Sequence, residues 1–120
     1  MTLKAQRATQ RATQRANARI NGIRTTLAGF ELVCSGTLSR RMMTCGKPNC
    51  RCASDPDARH GPYFQWVRMR AGKPTHRYVT EQQAQVLHQA IDNYRQIKQL
   101  LREWEQNTER LIDAAEPPQP

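Results

Sequence analysis

The sequence predicts an α+β fold with a helix at each end and a small β module between them. Three observations support this. A four-residue arginine repeat runs without Gly or Pro up to Gly22, and strand-like segments then surround a cluster of cysteines. A long stretch with heptad spacing follows Thr80. Because these patterns change at residues 31 and 80, we divide the chain into segments 1–30, 31–79, 80–115 and 116–120.

The composition limits how this fold can be stabilised. Only 38% of the 120 residues are hydrophobic, and the mean hydropathy is −0.83. A domain this small and polar buries too little apolar surface to fold comfortably alone. We therefore expect a metal ion, a disulfide or a partner chain to contribute to its stability.

Segment 1–30 is predicted to be a basic helix, spanning residues 4–29. Ala, Gln and Arg are good helix formers, and the repeats QRAT, QRAT and QRAN recur every four residues. This period places four arginines in one slowly winding stripe: Arg7, Arg11, Arg15 and Arg19. A modest apolar seam follows on the same helix, at Ala16, Ile20, Ile23, Leu27 and Phe30. The alternative is a disordered basic tail over residues 1–15.

The charge is unevenly distributed along the chain. The net charge is +9, and residues 1–30 carry six basic side chains and no acidic one. Residues 31–79 carry nine basic against three acidic side chains, whereas residues 80–120 carry four against seven. The first two segments are therefore suited to an anionic partner and the last part is not.

Segment 31–79 is predicted to form the β module. Residues 31–45 suit a strand, and PYFQWVRMR and HRYVT flank the turn sequence AGKP as a β-hairpin. Strand alternation places Phe64 and Trp66 on one face together with Arg68 and Arg70. The opposite face carries Tyr63, Val67 and Met69, and we expect that more apolar face to cover the core.

Segment 80–115 is predicted to be one long helix. Thr80 and Gln83 match a capping box at its start. A heptad seam follows at Leu87, Ala90, Tyr94, Ile97, Leu101, Trp104, Thr108 and Leu111. The seam can pack on the N-terminal seam of the same chain, which we favour, or on a second copy in a homodimer. The proline-rich segment 116–120 cannot continue the helix and is expected to be a disordered tail.

The cysteines point to a metal site. Cys45 and Cys50 flank the turn-forming sequence GKPN, in which Gly46 permits a positive φ. Cys50 and Cys52 are two residues apart, so in extended backbone their side chains face the same way. With His60 they complete a set of three sulfurs and one nitrogen, which is the structural zinc type. Cys34 is either an alternative fourth ligand in place of His60 or a buried thiol.

Other chemistries fit the sequence less well. A redox pair is typically C-x-x-C at a helix N-terminus, and a catalytic zinc needs an open position beside a general base. We see no such arrangement and expect that the protein is not an enzyme. The N-terminus lacks the apolar region of a secretory signal, although its Arg-rich, acid-free composition shares features with mitochondrial targeting peptides. We expect a cytoplasmic protein, in which thiols stay reduced.

The motif CGKPNCRC at residues 45–52, followed by HGPY at 60–63 and RYVT at 77–80, resembles a family of small uncharacterised prokaryotic proteins. Their signature is C-G-K-x-x-C-x-C…H-G-P-Y, with a β-hairpin and a long C-terminal helix. The resemblance covers roughly residues 36–110 and implies zinc bound by Cys45, Cys50, Cys52 and His60. It implies no activity, because the family is a domain of unknown function.

The leading hypothesis for function is non-catalytic nucleic-acid binding, with DNA slightly preferred over RNA and an accessory role in a mobile element or phage as one setting. The arginine fork suits phosphate, and aromatic neighbours stack on bases. The candidate contact residues are Arg7, Arg11, Arg15, Arg19, Arg40, Arg41, Lys47, Arg51, Arg59, Arg68 and Arg70, with Phe64 and Trp66 as stacking residues. The alternative is a protein-interaction adaptor that recruits a partner through the helix seam at residues 87–111, with purely structural zinc.

Overall fold

A computed structural model describes residues 2–115, and these form two long helices and one three-stranded antiparallel sheet. In chain order the elements are α1 (Leu3–Ala28), β1 (Thr37–Met43), β2 (His60–Arg70), β3 (Lys73–Val79) and α2 (Glu81–Ala115). The predicted α+β class is confirmed. The tail predicted for residues 116–120 lies outside the described residues.

Both helices begin at side-chain caps. The hydroxyl of Thr2 accepts a hydrogen bond from the N–H of Ala5 at 3.2 Å, so α1 starts at Leu3 and residues 3–15 are helical rather than disordered. At α2 the N–H of Gln83 donates to the Thr80 hydroxyl at 3.1 Å, and the Thr80 N–H donates to the Gln83 side-chain oxygen at 2.9 Å. The predicted capping box is therefore formed in both directions.

The strands are consecutive neighbours, in the order β1-β2-β3. Phe64 lies opposite Arg40 on one side and Val79 on the other, and Met43 lies opposite His60 after a bulge that follows Arg41. The strand predicted over residues 31–45 is shorter than expected, because regular pairing begins only at Thr37. Gly36, just before β1, has φ +117° and interrupts the extended chain.

Residues 32–94 form one compact unit, whose core lies between one face of the sheet and the first part of α2. Trp66, Leu87 and Ile91 are buried in this core, and Cys34, Leu38 and Val79 pack against them. Two hydrogen bonds attach the segment before β1 to the helix: Cys34 N–H to Ala90 C=O at 3.2 Å, and Asn93 Nδ2 to Leu32 C=O at 2.8 Å.

The prediction of which face of the sheet covers the core is wrong. Trp66 is only 6% exposed, whereas Tyr63 and Met69 on the opposite face are 44% and 64% exposed. Burial of Trp66 is compatible with its polar edge, because its Nε1 donates to the Ser35 C=O at 3.0 Å. The neighbouring Arg68 lies with its guanidinium carbon 4.1 Å from the centre of the Trp66 ring. The Arg68 side chain thus covers the indole ring, and the residue stays half-exposed to solvent.

A second, helical unit takes its described residues from segments 1–31 and 95–120. Ala16 and Ile23 of the predicted α1 seam are fully buried in it, and the Arg19 guanidinium forms an ion pair with the Glu103 carboxylate. This agrees with pairing between the two helices of one chain.

The α2 seam differs from the expectation over its second half. Leu101 and Thr108 are exposed, and the buried side is formed instead by Leu100 and Asn107 beside Ile97 and Trp104. The Asn107 amide is only 5% exposed but donates to the Glu103 C=O at 2.8 Å, so its polar group is satisfied.

None of the helices within residues 2–115 is both long enough and apolar enough to cross a lipid bilayer.

Candidate metal centre

Three thiols and one imidazole meet where β1 leads into β2. The Sγ atoms of Cys45, Cys50 and Cys52 and a ring nitrogen of His60 all lie within 4.8 Å of one another. Cys45 Sγ is 3.6 Å from Cys52 Sγ, and Cys50 Sγ is 3.3 Å from His60 Nε2. A disulfide has an S–S distance of about 2.05 Å, so these cysteines are free thiols rather than a bridged pair. The arrangement is able to hold a metal ion.

The chain reverses direction between Cys45 and Cys50. Gly46 adopts φ +79°, as its place in a turn predicts, and the Cys50 N–H donates to the Lys47 C=O at 3.2 Å. No atom beyond its chain neighbours lies within 4 Å of where a Gly46 Cβ would be, so glycine is needed there for its backbone conformation alone.

Cys52 reaches the cluster by a different route from the one expected. Residues Arg51–Ala53 form a single 3₁₀ turn, so Cys50 and Cys52 do not share an extended segment. The turn directs the Cys52 side chain inward, where it is 1% exposed, and Cys45 at the edge of the cluster is exposed. His60 is the first residue of β2, and its pairing with Met43 anchors the backbone that carries the imidazole.

Backbone amides favour negative charge on the sulfurs. A hydrogen bond from the Cys52 backbone N–H lowers the pKa of the Cys50 thiol, and contacts with the Cys52 and Cys45 side chains lower it further. The Cys45 N–H donates to Cys52 Sγ at 3.4 Å. That bond lowers the pKa of Cys52, but burial and the two neighbouring thiols outweigh it, so the net pKa of Cys52 is raised. Three thiols this close favour a cation between them.

The loop between Cys52 and His60 is ordered by its own polar groups. Asp55 accepts a hydrogen bond from the Asp57 N–H at 3.0 Å and from Arg51 at 3.1 Å. A second 3₁₀ turn, Pro56–Ala58, follows. The Asp55 carboxylate therefore fixes the loop that leads to His60.

Cys34 has other surroundings. It packs against the hydrophobic core of Trp66, Leu87 and Ile91, and the group of four ligand atoms does not include its sulfur. Cys34 is half-buried there, which is closer to the buried-thiol alternative than to the alternative-ligand one.

The basic residues singled out from the sequence lie on the surface but differ in their contacts. Arg19 is paired with Glu103, Arg51 with Asp55, and Arg68 covers Trp66. The remaining candidates are exposed side chains: Arg7, Arg11, Arg15, Arg40, Arg41, Lys47, Arg59 and Arg70. Phe64 and Trp66 were expected to stack on bases, but Trp66 is buried and Phe64 is half-buried on the core side, so that expectation is wrong for Trp66.

The exposed aromatic residues of the sheet are Tyr63 and Tyr78. Their ring centres are 6.4 Å apart in an edge-to-face arrangement, on the face opposite Trp66. The signal was present in the sequence, because alternation puts Tyr63 and Trp66 on opposite faces. Knowing which face is exposed required the position of α2.

Comparison with known proteins places the chain in a family. A protein family described as a domain of unknown function (DUF6788) matches residues 9–88. The match includes the four-residue cluster and all three strands. It begins nearer the N-terminus and ends earlier than the resemblance at residues 36–110. Comparisons with curated proteins and with solved structures gave no match.

Proposed function

The chain belongs to this family of unknown function, and from that premise we propose that it is a non-catalytic, zinc-stabilised protein that binds nucleic acid, with DNA slightly preferred over RNA. The proposal has two parts, the identity of the metal and the nature of the partner, and they rest on different observations.

The donor set supports zinc as the metal. Zinc takes thiolate sulfur at about 2.3 Å and imidazole nitrogen at about 2.0–2.1 Å in a tetrahedron, which corresponds to S···S and S···N edges of about 3.8 and 3.6 Å. The Cys45–Cys52 and Cys50–His60 separations of 3.6 and 3.3 Å are close to those edges. Four protein ligands leave no position for substrate, so a structural role fits better than a catalytic one. The free energy of metal binding would compensate for the small hydrophobic core of the unit formed by residues 32–94.

The distribution of charge carries the proposal of a nucleic-acid partner. The three strands contain six basic residues and no acidic one within the described sheet: Arg40, Arg41, Arg68, Arg70, Lys73 and Arg77. The loop between β1 and β2, residues 44–59 (the metal loop), adds exposed Lys47 and Arg59. Helix α1 adds exposed Arg7, Arg11 and Arg15. Phosphate backbones are the common polyanions that such surfaces attract, and arginine binds them through its planar fork.

The test is a salt titration of binding. We expect the zinc-loaded protein to shift random-sequence duplex DNA in a gel at low salt, with affinity falling linearly on logarithmic axes as salt rises. Contacts to six to ten phosphates correspond to a loss of roughly a thousandfold or more between low and moderate salt. A protein that shifts neither DNA nor RNA at low salt, although it contains its metal, would refute the proposal.

A second candidate function, a protein-interaction adaptor, is favoured by one observation. The exposed side of α2 has a groove lined by Leu101, Trp104, Thr108 and Ile112, with Glu105 and Glu109 beside them. Exposed Leu and Ile next to a half-buried Trp are typical of protein interfaces. A defined oligomer, or a co-purifying protein lost on Leu101→Asp substitution, together with no nucleic-acid shift, would favour the adaptor.

A further inference from the structure

The outward face of the sheet, the side opposite Trp66, combines two exposed aromatic rings with one arginine, Arg41. Tyr63 is 44% exposed and Tyr78 58% exposed, so a large part of each side chain is open to solvent. In the strand register, Tyr63 lies opposite Arg41, and Tyr78 lies opposite Gln65. The face thus offers two ring surfaces, a cation and an amide within one short stretch of sheet.

A hollow on this face lies next to the segments that lead to the metal cluster. Met43, Thr44, Tyr63 and Tyr78 line the hollow, and the Tyr78 hydroxyl lies 3.8 Å from the Met43 sulfur. Thr44 immediately precedes Cys45, and Tyr63 follows His60 by three residues. The Thr44 and Tyr63 side of the hollow is therefore continuous with the segments that carry Cys45 and His60, whereas Tyr78 is supplied by β3. Closure of the cluster helps to position the Tyr63 ring.

The charged residues around the hollow indicate which kind of ligand could bind on this face. The strands carry no acidic residue within the described sheet. The adjoining loop has exposed Lys47 and Arg59 and one exposed acid, Asp57, while Asp55 is paired with Arg51. An acid-free aromatic surface of this kind suits a ligand that has both flat rings and negative charge. A duplex hides the faces of its bases, whereas a single strand exposes them to stacking on aromatic side chains.

We propose that the outward face of the sheet, through Tyr63, Tyr78 and Arg41, binds unpaired bases of a single-stranded nucleic acid. The two tyrosines stack on bases, and Arg41, beside Tyr63, binds a backbone phosphate. This inference rests on the proposed function and specifies which form of nucleic acid the sheet receives. The duplex-binding surface, by contrast, needs only the exposed cations.

The experiment compares single-stranded and duplex probes by fluorescence anisotropy. The probes are a labelled oligo-dT of about 12 nucleotides, within the usual site size for such surfaces, and a random-sequence duplex. We expect Tyr63→Ala and Tyr78→Ala each to weaken oligo-dT binding by about 5- to 150-fold, the range that stacking on one base supports. Duplex binding is expected to change little.

Three controls separate stacking from damage to the fold. Tyr63→Phe and Tyr78→Phe keep the ring and should retain oligo-dT binding, and Met69→Ala removes an exposed apolar side chain from the same face without a ring. Each variant is checked for unchanged metal content. The same losses are expected with oligo-rU, because the rings contact bases rather than sugars.

The outcomes distinguish the two proposals. Duplex binding with unchanged oligo-dT affinity in metal-loaded alanine variants would overturn this inference and leave the proposed function standing. Binding of neither probe by the wild-type protein would overturn both. Loss of oligo-dT affinity in the alanine variants, with recovery in the phenylalanine variants, supports both.

Discussion

Cys50 Sγ and His60 Nε2 lie 3.3 Å apart although ten positions separate the two residues in the chain. Cys52 lies in the loop that connects the end of β1 to the start of β2. The contact between Cys50 and His60 closes this loop. A bound cation would replace this contact with two metal–ligand bonds and hold the loop at the same points. The first predictions concern that closure.

The ligand assignment predicts that each chain binds one metal ion and that substitution of a ligand, but not of Cys34, abolishes its binding. His60→Ala removes the only imidazole of the four-atom group, whereas Cys34→Ser alters a thiol packed against Trp66 and Leu87. We expect native mass spectrometry to show one zinc in the wild-type and Cys34→Ser proteins and none in His60→Ala. Retention of zinc by His60→Ala with loss in Cys34→Ser would show that Cys34 is the fourth ligand.

Removal of the metal should unfold the sheet. Structural zinc contributes roughly 10–16 kcal/mol of binding free energy in small metal-dependent domains, more than a core of three fully packed side chains provides. We expect a strong chelator to reduce the near-ultraviolet circular dichroism, to which the buried Trp66 contributes, and added zinc to restore it. An unchanged signal in protein shown to be metal-free would contradict a structural role.

Substitutions at two glycines should have opposite effects. Gly36 has φ +117°, and a Cβ there would lie 2.5 Å from the Val67 carbonyl oxygen and 2.6 Å from Trp66 Nε1. We expect Gly36→Ala to lower the free energy of unfolding by at least about 2 kcal/mol, measured by urea denaturation of zinc-loaded protein. Gly22 lies inside α1 with open space around it, so Gly22→Ala should raise the stability by up to about 1 kcal/mol. Equal effects of the two substitutions would contradict the Gly36 geometry.

The exposed arginines of α1 should contribute to the salt dependence of DNA binding. Each phosphate contact adds about 0.9 to the slope of log affinity against log salt, so replacing Arg7, Arg11 and Arg15 by Gln should reduce that slope by up to about 3. A single-charge control is Arg102→Gln, which removes one exposed arginine of α2 that contacts Gln99. An unchanged slope in the triple variant would assign binding to the sheet and metal loop alone.

Sequence patterns predicted the elements better than their faces. The limits of α1 and the capping box at Thr80 and Gln83 follow from local propensity and hydrogen bonding, and both are confirmed. The choice of the buried sheet face failed because it was made on the apolar character of Val67 and Met69. Burial instead follows Trp66, whose indole finds a carbonyl partner and whose arginine neighbour reaches out to solvent.

The α2 seam and the cysteine loop show the same limit. A strict heptad pattern selected Leu101 and Thr108, but the buried side includes Asn107, whose amide bonds to the helix backbone and which no apolar pattern can identify. The four cluster residues were identified from residue type and spacing. The 3₁₀ turn at Cys52 was missed, because a segment of three residues has no periodicity to detect.

The borders of the sheet carry a further consequence. A bulge interrupts β1 after Arg41, and β3 begins with Lys73 and Pro74, the latter without an N–H to donate. Charge, proline and bulges at outer strands are the devices by which natural sheets avoid adding strands from neighbouring molecules. Concentrated solutions should therefore resist fibril growth through this sheet, and any self-association should proceed through helices.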